Sequence, residues 1–76
     1  MEEIVDATGL LCPLPLIRAQ EFARSANPGT TFIVHATDPG VFQDFPAWCR
    51  MHGHTLIDIV EHKTKQTIEV TIELGD

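Results

Sequence analysis

The chain has 76 residues, 43% of them hydrophobic and 21% charged, with eleven acidic against five basic side chains and a formal charge of −6. That length supports one core and one domain over residues 1–76, and the mix of residues excludes a disordered chain. The acidic balance, with neither a basic stripe nor interleaved aromatics, argues against direct nucleic-acid binding and favours a docking partner with a basic surface.

Glu3-Ile4-Val5-Asp6-Ala7 alternates and reads as a short strand stopped by Thr8-Gly9. From Pro15 to Ala26 the residues Leu16, Ala19, Phe22, Ala23 and Ala26 share one face at helical spacing, and Asn27-Pro28-Gly29 ends that helix. Thr31 to Ala36 is apolar on both faces apart from His35, as a central strand is. Asp38 as cap and Pro39 as first residue signal a second helix, in which Val41, Phe42, Phe45, Trp48 and Cys49 share the core face. Pro46 is expected to kink it or to start a second short helix, and the run stops near Gly53.

Two strands follow, Thr55–Val60 and Thr67–Leu74, joined by the polar stretch from Glu61 to Gln66. In the last strand Ile68, Val70, Ile72 and Leu74 alternate with Thr67, Glu69, Thr71 and Glu73, which leaves one sheet face in water. The order β-α-β-α-β-β, with both helices covering one apolar sheet face, predicts an α/β (α+β) two-layer sandwich.

The longest apolar runs are far too short to span a bilayer, and Met1 opens onto Glu2 and Glu3 where a signal peptide needs positive charge and a long apolar stretch. The expected compartment is the cytoplasm, with no membrane attachment. Cys12 and Cys49 are accordingly expected to be free thiols with reversible chemistry.

Cys12-Pro13-Leu14-Pro15 sits between the first strand and the first helix, at the rim of the sandwich where function gathers. Prolines on either side of Leu14 restrict the backbone, so Cys12 is expected in an extended, rigid conformation. The helix starts at Pro13, with Cys12 as N-cap, or at Pro15, because Leu14 precedes a proline and resists helical angles. Either start aims the sulfur at the positive end of the helix dipole, which lowers a thiol pKa. Because the prolines have no N–H, rigid display of the thiol ranks above strong activation. The competing reading is a packed, inert small hydrophobe.

Asp6-Ala7-Thr8-Gly9-Leu10-Leu11-Cys12-Pro13-Leu14-Pro15, with Thr37-Asp38-Pro39 and Asp44-Phe45-Pro46 before Trp48-Cys49, resembles the TusA/SirA family of sulfur-carrier proteins over nearly the whole chain. The resemblance implies a mixed four-stranded sheet and a persulfide on Cys12. It also implies sulfur-donor and sulfur-acceptor proteins such as rhodaneses, cysteine desulfurases or DsrE-like carriers, serving tRNA thiolation, molybdenum cofactor assembly or sulfur oxidation. No cofactor is expected. One departure stands out: many members carry a basic pair in the first helix, where this chain has Arg18-Ala19-Gln20-Glu21 and then Arg24. Arg18 is the candidate cation for docking or for stabilising a persulfide, against its plain reading as a solvated helix residue.

Within that reading Pro13 and Pro15 orient the sulfur, while Leu14 and Ile17 offer apolar contact to partners. Cys49 is expected in the core, although a resolving thiol for Cys12 in a redox switch is the alternative of a different class. Cys49, His52 and His54, with His35 or His62, make a weak metal set of the wrong spacing, so no metal site is expected. Glu69 and Glu73 read as a solvated face. A carrier released after each transfer is expected to be a monomer.

Overall fold

The computed structural model describes residues 3–75. Met1 and Glu2, which entered the compartment argument, and Asp76 lie outside the described residues. The elements run β1 (Glu3–Ala7), α1 (Leu14–Ser25), β2 (Thr31–Ala36), α2 (Val41–His52), β3 (Thr55–His62) and β4 (Thr67–Glu73). The strands form one sheet in the order β1-β2-β4-β3, with β1 parallel to β2 and the other neighbours antiparallel. The helix between β1 and β2 is the crossover that a parallel pair requires.

Alternation in the strands decides which sheet face is covered. Phe32, Val34 and Ala36 of β2 lie opposite Ile72, Val70 and Ile68 of β4, and all six are buried. Ile33, His35, Glu69 and Thr71 stand on the other face and are only half-buried, as the alternation of β4 predicted. Both helices seal the covered face. α1 does so through Pro15 and Ala19, and α2 through Val41, Phe45, Trp48 and Cys49, all in contact with one core. Ala19 has no exposed surface, and its small side chain lets the helix lie close to the sheet. Phe22 packs on Phe32 with ring centroids 4.6 Å apart and planes tilted by 38°, and Phe45 meets Trp48 edge-on at 6.2 Å. Each of the larger side chains contributes about 1.5–3 kcal/mol by leaving water.

The structure corrects several local expectations. α1 starts at Leu14, with Pro13 as its N-cap. The Leu14 N–H closes a turn onto the Leu11 carbonyl at 2.8 Å and the Ile17 N–H reaches the Pro13 carbonyl at 3.1 Å, so Leu14 enters the helix despite the proline after it. α2 starts at Val41 rather than Pro39, because Asp38 first closes a turn: its Oδ2 accepts the Gly40 N–H at 3.0 Å, leaving Gly40 as N-cap. It continues through Pro46 as one helix, not two. The missing proline N–H would have served Phe42, which is 41% exposed instead of facing the core, so the loss falls on the solvent side. β3 runs on to His62, and a bulge between Leu56 and Asp58 leaves Ile57 outside the regular pairing.

Candidate functional site

The loop from β1 to α1 is pinned at each step before it reaches the cysteine. Asp6 accepts the Thr8 N–H at 3.0 Å and the Thr8 hydroxyl at 2.7 Å, and these bonds hold its carboxyl below the usual range. Gly9 has φ 79°, a left-handed conformation that glycine adopts without strain, and its N–H donates to the Thr37 hydroxyl at 2.9 Å. That bond ties the loop to the end of β2. The turn from Leu11 to Leu14 then carries Cys12, whose peptide bond to Pro13 is cis. The conformation is thus a closed turn and not the extended run expected from the prolines. Pro15 is fully buried and anchors the C-terminal side of the motif in the core.

Cys12 is an exposed free thiol. Its Sγ–H donates to Oδ2 of Asp44 at 2.8 Å, across 32 residues of sequence. Asp44 lies in the first turn of α2, and its N–H bonds the Gly40 carbonyl at 3.0 Å. Gly40 is required by space: a Cβ there would stand 2.8 Å from Cys12 Cβ, 3.1 Å from its Sγ and 2.8 Å from Asp38 Oδ2. The starts of α1 and α2 therefore converge on the sulfur, one supplying its loop and the other a close-packed wall.

The electrostatics run against the helix-dipole expectation. The hydrogen bond to Asp44, then burial, then the negative charges of Asp44 and Asp38 push the Cys12 thiol above its ordinary pKa. A full carboxylate charge in direct contact outweighs the fractional charge of a helix end. The helix offers the sulfur little in return, since Pro13 and Pro15 have no N–H and that of Leu14 is used by Leu11.

Of the residues expected around the thiol, Leu14 is 46% and Ile17 41% exposed, which leaves both open to contact. Leu11, which the pattern did not single out, is 69% exposed beside them in the chain. Arg18 is exposed, and its charge acts on Asp6 rather than on Cys12. Asp44, Asp38 and Gly40 were missed as neighbours of Cys12. The Asp-Phe-Pro and Thr-Asp-Pro runs were visible, but only folding brings them to the cysteine.

Cys49 is buried in the core at 3% exposure, burial pushes its thiol up, and both cysteines are free. The histidines fall into two pairs, His35 with His62 and His52 with His54, and neither pair includes Cys12. His35 and His62 approach opposite oxygens of Glu69 at 3.5 and 3.4 Å on the open sheet face, while His54 packs on Trp48 and accepts the Gly75 N–H at 3.0 Å. Glu69 thus has two imidazoles beside it on that open face, where its side chain is 40% exposed. Cys12 lines neither the cleft of about 320 Å³ beside Thr37 and Lys63 nor that of about 430 Å³ between Arg24 and His54. None of the described helices is long and apolar enough to cross a membrane.

Comparison with known proteins bears on the family and the fold. The sequence pattern of the family described as sulfurtransferase TusA matches residues 3–74. A protein of Neisseria meningitidis serogroup B is 43% identical over 68 residues, 90% of this chain and 92% of its own. The sulfur carrier protein TusA of Allochromatium vinosum is 38% identical over 64 residues, 84% of each chain. The crystal structure of a SirA-like protein from Desulfitobacterium hafniense superposes with a TM-score of 0.79 at 28% identity, over 96% of this chain and 97% of that one.

Proposed function

The chain belongs to the sulfurtransferase TusA family, and from that premise we propose that it carries sulfane sulfur as a persulfide on Cys12 and passes it between proteins. The observation that supports this reading is an exposed thiol, held by a pinned turn and lining neither cleft described above. A sulfur presented this way suits entry into a partner's active site better than chemistry on a bound small molecule.

In the transfer, the Cys12 thiolate attacks the outer sulfur of a donor persulfide. The donor's S–S bond breaks, a new S–S bond forms on Cys12, and the donor leaves as a thiol, with no net oxidation. An acceptor cysteine then attacks the outer sulfur of the Cys12 persulfide in the same way. Pro13 and Pro15 fix the direction of the sulfur, and Leu14, Ile17 and Arg18 make the contact surface. Donors and acceptors are proteins of the rhodanese, cysteine desulfurase or DsrE-like kind, and those with a basic surface suit a chain of formal charge −6 that sets Asp38 and Asp44 beside its thiol. Residues 1–76 act as one carrier domain, a monomer in the cytoplasm.

The test is intact mass after incubating reduced protein with polysulfide, or with a rhodanese and thiosulfate, for wild type, Cys12→Ser and Cys49→Ala. A gain of about 32 Da, one persulfide sulfur, should appear in wild type and Cys49→Ala, vanish in Cys12→Ser and reverse with a thiol reductant. Loading that persists without Cys12, or mild oxidation that links Cys12 to Cys49 while no donor loads it, would overturn the reading.

A further inference from the structure

Cys12 meets charged groups from two elements besides its own. The loop before α2 supplies Asp38, whose Oδ2 is already engaged by the Gly40 N–H, and α2 supplies Asp44, whose Oδ2 accepts the thiol proton at 2.8 Å. The first two turns of α1 bring one cation, Arg18, and its field falls on Asp6. Among the described residues the charges that act on the sulfur are therefore both carboxylates.

The contact is built rather than casual. Asp44 is short, stands in the first turn of a helix, and is fixed there by its own N–H on Gly40. Gly40 packs directly against Cys12 Cβ, with no room for a side chain between them. The backbone segments that carry the sulfur and the carboxylate are thus held close together. A site made to activate its thiol would place a cation or free N–H groups at this point. Here the point holds an acceptor, which binds the S–H form and repels the thiolate.

Resting on the reading of Cys12 as the loading residue, we propose that Asp44 is a positioning residue that anchors the unloaded Cys12 as a protonated thiol, slowing its reaction with small electrophiles until the carboxylate is displaced. The thiol proton must pass to solvent before the sulfur can attack. The attack itself then exchanges one S–S bond for another.

Two readings separate the inference from its premise, both made on the Cys49→Ala background with wild-type Asp44, Asp44→Asn and Asp38→Asn. Asparagine keeps the size of the side chain and removes its charge. Iodoacetamide alkylation of Cys12, followed by intact mass across pH, should show a lower midpoint for Asp44→Asn and a rate at pH 7.5 raised roughly three- to tenfold. Asp38→Asn should give a smaller rise, and all three profiles should converge at high pH, where every thiol is ionised. Loading from polysulfide at pH 7.5 should accelerate in the same order. Alkylation profiles of Asp44→Asn and the parent that coincide would overturn the role of Asp44 and leave the carrier reading standing. Failure of all three proteins to load at any pH would instead remove the premise, and the role in sulfur transfer with it.

Discussion

Cys12 and Cys49 carry the same thiol, and in both its pKa is raised, for different reasons. The first is exposed and held up chiefly by its hydrogen bond to Asp44, with burial and the charges of Asp44 and Asp38 adding to it, while the second is held up by burial alone. The difference lies in what can be removed. Moving the Asp44 side chain away would remove the largest of the causes at Cys12, whereas that at Cys49 goes only with the opening of the core it shares with Phe45 and Trp48. A raised thiol pKa by itself therefore says little about function. Its cause, and whether a docking protein can reach that cause, says more.

The largest effect that could break this contrast comes from the core. Trp48→Ala removes an indole that contacts Phe45 and His54, and it should cost about 3–5 kcal/mol in urea unfolding, a large part of the stability of so small a chain. The same variant should admit alkylating reagent to Cys49 while the rate at Cys12 hardly changes. In the wild type, Cys49 should react at least about a hundredfold more slowly than Cys12, because it needs an opening fluctuation. Comparable native-state rates at the two thiols would erase the distinction between rim and core.

Next in size is Gly40→Ala. A methyl group at 2.8 Å from Cys12 Cβ must push the motif turn off α2, at a cost of about 1–3 kcal/mol. The displacement should change the pH profile of Cys12 alkylation and leave Cys49 protected. An unchanged Cys12 profile would mean that the contact with α2 does not control the sulfur.

The two regions also differed in how far the sequence disclosed them. The core was legible because each of its rules is local. Alternation of Ile68, Val70 and Ile72 placed β4, helical spacing placed Ala19, and Gly53 ended α2 in a left-handed conformation with φ 73°. The place of Cys12 in the exposed turn before α1 was legible from the prolines around it. Its chemical environment was not, because Asp44 is 32 residues away and reaches the sulfur only through tertiary packing. The dipole argument failed for the same reason: it counted the charges of one helix and had no access to the other. Phe42 was misplaced because the buried stripe of α2 runs through Val41, Phe45, Trp48 and Cys49, and Phe42 stands at its edge, 41% exposed.

The smallest expected effect sharpens the rim. Thr8 donates two hydrogen bonds to Asp6, which depress its pKa, with smaller help from the charges of His35 and Arg18. A carboxyl depressed on folding stabilises the native state above its unfolded value of about 3.9, and that contribution is lost as the pH falls through the folded value. Asp6→Ala should therefore lower the urea midpoint slightly at about pH 7, and the gap from wild type should narrow as the pH drops below about 4. Because the turn from Asp6 leads directly into the motif, the variant should also loosen the Cys12 alkylation profile without exposing Cys49. A gap that stays constant down to low pH would show that the Asp6 charge contributes nothing to holding the turn. The rigidity of the rim would then rest on the Gly9–Thr37 bond and on Pro15 in the core.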